Sequence, residues 1–211
     1  YVQKMLGDER YSSEDILTVI QYLQQVNATS FDAKVLESGR HFYSNKPLGS
    51  WEPTSLINGR EVLVLGAGGS VSQHKVAIEQ YIHLHNPLVI ALNTVDTIAN
   101  ELIDVRAACH PVRILADCER YVSFTQPLIV PASMVPLAVQ KVLNDVEVLD
   151  FGMAVKENEF SFFLSHCFIP SSLVIAYVLA IICSGKASNI LLAGFDGYSA
   201  DDPRRVEVDE I

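Results

Sequence analysis

The chain is short of positive charge: 15 lysines and arginines stand against 25 aspartates and glutamates, for a formal net charge of −10. Such a surface repels nucleic acid and anionic membrane, so functions that need a basic footprint are not expected. A nucleotide is not excluded, because backbone donors can hold a phosphate locally. Cysteine is also scarce. Cys109, Cys118, Cys167 and Cys183 form no C-x-x-C pair, and the opening residues lack the pattern of a secretory leader. Reduced thiols in a cytoplasmic protein are the expectation. Long apolar runs are missing too. The longest, residues 173–183, spans roughly eleven residues, against about 20 needed to cross a bilayer. Repeats and low-complexity tracts are absent.

The chain does have a hydrophobic fraction of 49% over 211 residues, enough for one full domain plus an appendage or for two small ones. The organising stretch is residues 61–70, Glu-Val-Leu-Val-Leu-Gly-Ala-Gly-Gly-Ser. Its aliphatic first half suits a strand buried on both faces of a parallel sheet. Gly66, Gly68 and Gly69 then strip bulk from a tight turn, Ser70 can cap a helix, and residues 71–85 turn helical. The expected buried stripe there is Val71, Val76, Ala77, Ile78, Tyr81 and Ile82. A strand, a glycine turn and a helix start suit a phosphate. The spacing lacks the third glycine of the dinucleotide fingerprint, and no Lys-Ser/Thr comes after it as in a P-loop. An ordinary first crossover of an α/β sheet is therefore the competing reading.

Residues 1–45 read as a small helical unit. Ser12-Ser13-Glu14-Asp15 is a capping pattern ahead of Ile16, Val19, Ile20 and Leu23, and Ser30 can cap a second helix carrying Phe31, Val35 and Leu36. Two such short helices must pack on another surface. Residues 46–60 read as a linker rich in proline and glycine, with Trp51 as its anchor. The third region, residues 61–211, alternates in β-α-β fashion. Strands are expected at 88–93, 112–117, 127–130, 146–151 and 189–194, with a helix over 99–108 and a buried helix over 171–184. The fold class this implies is α/β: a Rossmann-like, doubly wound, mainly parallel sheet. Ligands bind such sheets beyond the carboxyl ends of the strands.

That placement picks out candidate site residues. Asn93 closes the second strand and suits a ribose hydroxyl or base edge, or simply a turn. Asp117 closes the expected third strand and can hold a ribose, metal or hydroxyl, or cap a helix. His166 is a candidate general base in a loop, with a solvated loop residue as the plainer alternative. Ser171 and Ser172 open the buried helix, either as ordinary caps or as a second anion site. Asp196 comes after the last strand, with Asp201 and Asp202 beyond it. No metal site is expected from His166 and Cys167, since a third ligand at sensible spacing is missing.

Taken together, residues 62–70, 88–93, 170–173 and 190–198 resemble the C-terminal region of a family of bacterial aldolase-like proteins. In that family a barrel similar to HMG-CoA lyase and 4-hydroxy-2-oxovalerate aldolase precedes such a module. The resemblance implies that this chain is the C-terminal part of an aldolase-type fusion, with the catalytic barrel and its divalent metal outside it. The opening at Tyr1 without Met and the stop at Ile211 fit that expectation. The aldolase barrel would then be a partner within the same polypeptide, and a homo-oligomer is expected.

More distantly, the module is similar to bacterial sialyltransferases with a Rossmann-like CMP-sugar site. That resemblance implies a CMP-type nucleotide or nucleotide sugar as ligand. Gly66, Gly68, Gly69 and Ser70 match the family's first turn, Asn93 its second, Ser171 and Ser172 its third, and Gly194 with Asp196 its last. Leu65 or Gly66 stands where that family has an Asn, and His166 precedes the last helix rather than coming after it. Nucleotide binding therefore carries over better than transfer chemistry. A non-catalytic regulatory or assembly domain is the alternative.

Overall fold

In a computed structural model, the described residues are 46–135, 140–141 and 143–197. The helical unit expected over residues 1–45, and Asp201 and Asp202, lie outside them.

Six parallel strands form the main sheet: β1 (Glu61–Leu65), β2 (Leu88–Leu92), β3 (Val105–Ala107), β4 (Leu128–Val130), β5 (Val148–Asp150) and β9 (Asn189–Ala193). Their spatial order is β5-β4-β3-β2-β1-β9. The strand succession runs one way from β1 to β5 and then returns to β1's other side. This is a Rossmann-like α/β fold. β1 and β2 are buried nearly throughout, which is why they read as continuous aliphatic runs rather than alternating ones.

Two apolar layers sandwich the sheet. On one face Val62, Val64, Leu88 and Ile90 meet α6 (Val174–Ser184), whose Tyr177, Val178, Ala180, Ile181 and Ile182 are buried. On the other, Leu63, Leu65, Val89 and Ala91 meet Val71 of α2 (Gly69–Gln73) and Ile82 of α3 (Lys75–His85). The helix expected over 71–85 is thus two helices joined at His74. Val71 and Ile82 are buried as expected, but Val76 is 68% exposed and Ala77 also faces solvent.

The middle of the chain departs from expectation. Residues 99–108 hold a 3-10 turn (Asn100–Leu102) and then β3, not a helix. Residues 112–117 are not a strand: α4 (Pro111–Ala116) occupies them, ahead of α5 (Cys118–Ser123). A short apolar run cannot be assigned by periodicity alone, and a proline at the first helical position is the helical signal. Segment 46–60 packs on the domain, with Trp51 anchoring it as expected. It contains α1 (Thr54–Ile57) with Ile57 fully buried, and Trp51 meets Phe151 edge to face at 6.5 Å.

A second sheet, β6 (Gly152–Val155), β8 (His166–Ile169) and β7 (Ser161–Phe162), comes directly after β5. It lies against α6, where Tyr177 Oη donates to the Phe151 carbonyl. No helix among the described residues is long and apolar enough to cross a membrane.

Candidate ligand site at the carboxyl edge

The sheet reverses direction at β1, whose neighbours are β2 and β9. In open α/β sheets the crevice beyond such a reversal is where ligands bind. Here it is formed by two chain segments in close contact, 66–70 and 194–196. The Gly66 amide donates to the Ala193 carbonyl at 2.8 Å and the Gly68 amide to the Gly194 carbonyl at 2.9 Å. The Ser70 amide donates to Asp196 Oδ2 at 2.7 Å, and Ser70 Oγ donates to Asp196 Oδ1.

These contacts account for the glycines. A Cβ on Gly66 would stand 2.5 Å from the Gly194 oxygen, and one on Gly68 would stand 2.6 Å from it. Gly194 itself has φ +81°, and a Cβ there would stand 2.6 Å from the Gly66 oxygen. Closely apposed backbones, rather than a phosphate, demand glycine at these three positions. Gly69 differs. A Cβ on it would meet nothing within 4 Å, and it is exposed. At the mouth of the turn, no carbonyl among the described residues accepts from the amides of Ala67 and Gly69.

Ser70 is not the helix cap. Gly68 takes that position, without a side-chain cap bond. Asp196 supplies the negative charge instead. Its carboxyl is held below the usual range by the Ser70 hydroxyl first and the Ser70 amide second, with His74 adding a smaller attraction. An internal carboxylate therefore already engages the donors that the sequence offers to a phosphate.

Asn93 stands one strand over, just past β2, with φ +52° and its amide donating to the Ala107 carbonyl at 2.8 Å. Asparagine tolerates this left-handed conformation better than other side chains. It is half-buried, and no described residue bonds its side-chain amide. The loop after it is pinned from below. Arg106, 1% exposed on β3, donates to the Val95 carbonyl and to Asn100 Oδ1, each at 2.7 Å, and stacks 3.6 Å from the Phe124 ring.

Ser171 and Ser172 reach the same edge at β3, where Cys109 Sγ donates to the Ser172 carbonyl at 3.4 Å. Neither caps α6. Its N-cap is Leu173, without a side-chain cap bond, so the helix starts later than the Pro-Ser-Ser signal predicts. Beside them His110 is buried, and its Nδ1 has no hydrogen-bond partner among the described residues. Burial first, and Arg113 second, push its pKa down to about 4. Sequence reasoning misses His110 because it places a strand just after it. A His-Pro step directly after Ala107-Ala108-Cys109 is the signal that marks a strand end. The Cys109 thiol is raised far by burial and is no nucleophile.

Two expected residues lie elsewhere. Asp117 does not close a strand: it is 2% exposed and sits between α4 and α5, its carbonyl accepting from the Tyr121 amide at 3.0 Å. His166 is not in a loop: it begins β8, paired with Gly152 just past β5. β5 and β1 are four strand spacings apart, roughly 19 Å. The imidazole stacks on Phe163 with ring centroids 4.7 Å apart, and burial lowers its pKa. The ring is thus packed within the second sheet rather than held in the loop that the sequence suggests. Among the described residues no group of three or more His, Cys, Asp or Glu side chains could hold a metal ion.

No protein-family model matches the chain, and no curated protein matches it either.

Proposed function

We propose that the domain binds a nucleotide or nucleotide sugar across the carboxyl ends of β1, β2 and β3, as the C-terminal part of an aldolase-type polypeptide. The observation that carries this reading is Asn93, whose side-chain amide no described residue bonds, at the end of β2, with Gly69, whose amide no described carbonyl accepts, past the end of the neighbouring β1. Neighbouring strands lie about 4.8 Å apart, so the two can meet ribose and phosphate of one ligand. Ser171, Ser172 and the uncapped start of α6 would receive the second phosphate or the sugar. Gly66, Gly68, Ser70 and Asp196 then act as the frame, holding each other rather than the ligand. The aldolase context rests on the sequence resemblance alone.

Calorimetry on the full chain with CMP, UDP and NAD(H) tests it. CMP or UDP binds, and Asn93→Gly, which keeps the left-handed backbone, weakens binding about fivefold or more, as for a lost hydrogen bond of about 1 kcal/mol. No binding at millimolar ligand refutes the reading. A regulatory or assembly role is the second reading, and the exposed aromatic hairpin around β7 favours it.

A further inference from the structure

The hairpin of residues 159–165 turns four large apolar side chains to solvent: Phe160 at 47%, Phe162 at 43%, Phe163 at 49% and Leu164 at 64% exposure. It is held in place. Ser184 Oγ of α6 donates to the Phe163 carbonyl at 2.6 Å, and Phe160 and Phe162 meet edge to face at 6.5 Å. Exposed apolar side chains clustered this way mark an interaction surface.

The described chain enters beside this hairpin. A Cβ on Gly49 would collide with the Ser165 carbonyl, and the amides of Ser50 and Trp51 donate to the Asp150 carbonyl at 3.0 and 2.9 Å. Leu48, one residue earlier, is 62% exposed. The described residues therefore begin next to the patch. The sequence of residues 1–45 carries two apolar stripes, Ile16-Val19-Ile20-Leu23 and Phe31-Val35-Leu36, which short helices cannot bury by themselves. From Gly39 to Leu48 the chain can span about 30 Å when extended, enough to lay either stripe on the hairpin.

We infer that residues 12–39 of this chain dock through those stripes onto Phe160, Phe162, Phe163 and Leu164. This docking does not depend on nucleotide binding. The N-terminal segment is the occupant because it is tethered beside the patch and has matching apolar chemistry.

The test uses the full chain carrying Phe162→Cys, with maleimide labelling of that peptide read by mass spectrometry. Labelling is at least tenfold slower with native stripes than with Ile20→Asp and Leu23→Asp, and is unchanged on tenfold dilution. Equal rates overturn the proposal. Protection that vanishes on dilution overturns it too, since a second copy would then be the cover. Hydrogen exchange at residues 160–164 in the chain without the cysteine checks that the probe did not disturb the patch: those amides exchange at least tenfold faster in the double aspartate variant, while residues 62–65 stay protected. If the aspartates unfold the domain, Phe163→Ser replaces them. Trypsin then cuts at Lys34 at least tenfold faster than in the native chain, and an unchanged rate refutes docking.

Discussion

Gly68 and Gly69 are neighbours of the same type, yet replacing each with alanine should have opposite consequences. A Cβ on Gly68 would lie 2.6 Å from the Gly194 oxygen and 2.7 Å from both the Gly194 carbon and Asp196 Oδ2. Two of those atoms are backbone, and that carbonyl accepts the Gly68 amide at 2.9 Å, so the contact cannot open without losing the bond. Overpacking of this kind costs about 1–3 kcal/mol, and the parted hydrogen bond adds about 1 kcal/mol. Gly68→Ala should therefore destabilise by about 2–4 kcal/mol. Gly69 has open space at its Cβ and lies in the first turn of α2. Alanine there should leave stability unchanged or raise it by up to about 1 kcal/mol, through helix propensity and a less free unfolded chain. Urea denaturation of the two variants reads the difference, and the melting temperature of Gly68→Ala should fall by roughly 10 °C. Equal effects would refute the account of the turn as two backbones in contact. Calorimetry on Gly69→Ala adds a second reading: the amide donor remains, but if phosphate closely approaches this backbone the added Cβ obstructs it, and nucleotide affinity drops while stability does not.

Asp196 should titrate below the usual aspartate value, because Ser70 bonds its charged form. Its stabilising contribution is present above the unfolded value and is lost as pH falls through the lower folded one. NMR titration should show that value rising in Ser70→Ala, and no change would discount the pair. His110 has the opposite chemistry, a neutral ring kept uncharged by burial with its pKa near 4. The unfolded chain takes up the proton first, so stability falls below about pH 6.5 and levels off below pH 4. The loss from pH 7 to pH 5 should be about 2 kcal/mol, and His110→Gln should remove most of it. Arg106→Lys should cost about 2 kcal/mol or more in urea denaturation. A lysine cannot serve both the Val95 carbonyl and Asn100 Oδ1 from one fork. Full rescue by lysine would contradict the bidentate role.

Sequence signals are legible where long aliphatic runs end in glycine or asparagine. β1, β2 and β9 and the buried α6 are of this kind, and they carry the fold class. β3 has only three residues, too few for a pattern, so the neighbouring run at 112–117 reads as the strand in its place. Asp117 goes astray along with it. Asn93 is found because a strand end is a local property. The role of Gly68 is not legible in the same way. Its reason for being glycine lies at Gly194 and Asp196, partners that no local spacing reveals. His166 misleads because a short edge hairpin in an acidic, aromatic stretch looks like a loop.

The bond between Ser70 and Asp196 joins positions 126 residues apart, and β1 waits as long for its second neighbour. During synthesis, β1 can pair with β2 early, but its other edge stays bare until residue 193 has emerged. Such distant pairing slows folding. A bare parallel edge is also an invitation to wrong partners. A chain interrupted before β9 would therefore keep most of its sheet yet lack the finished turn, and would be the species most prone to aggregate.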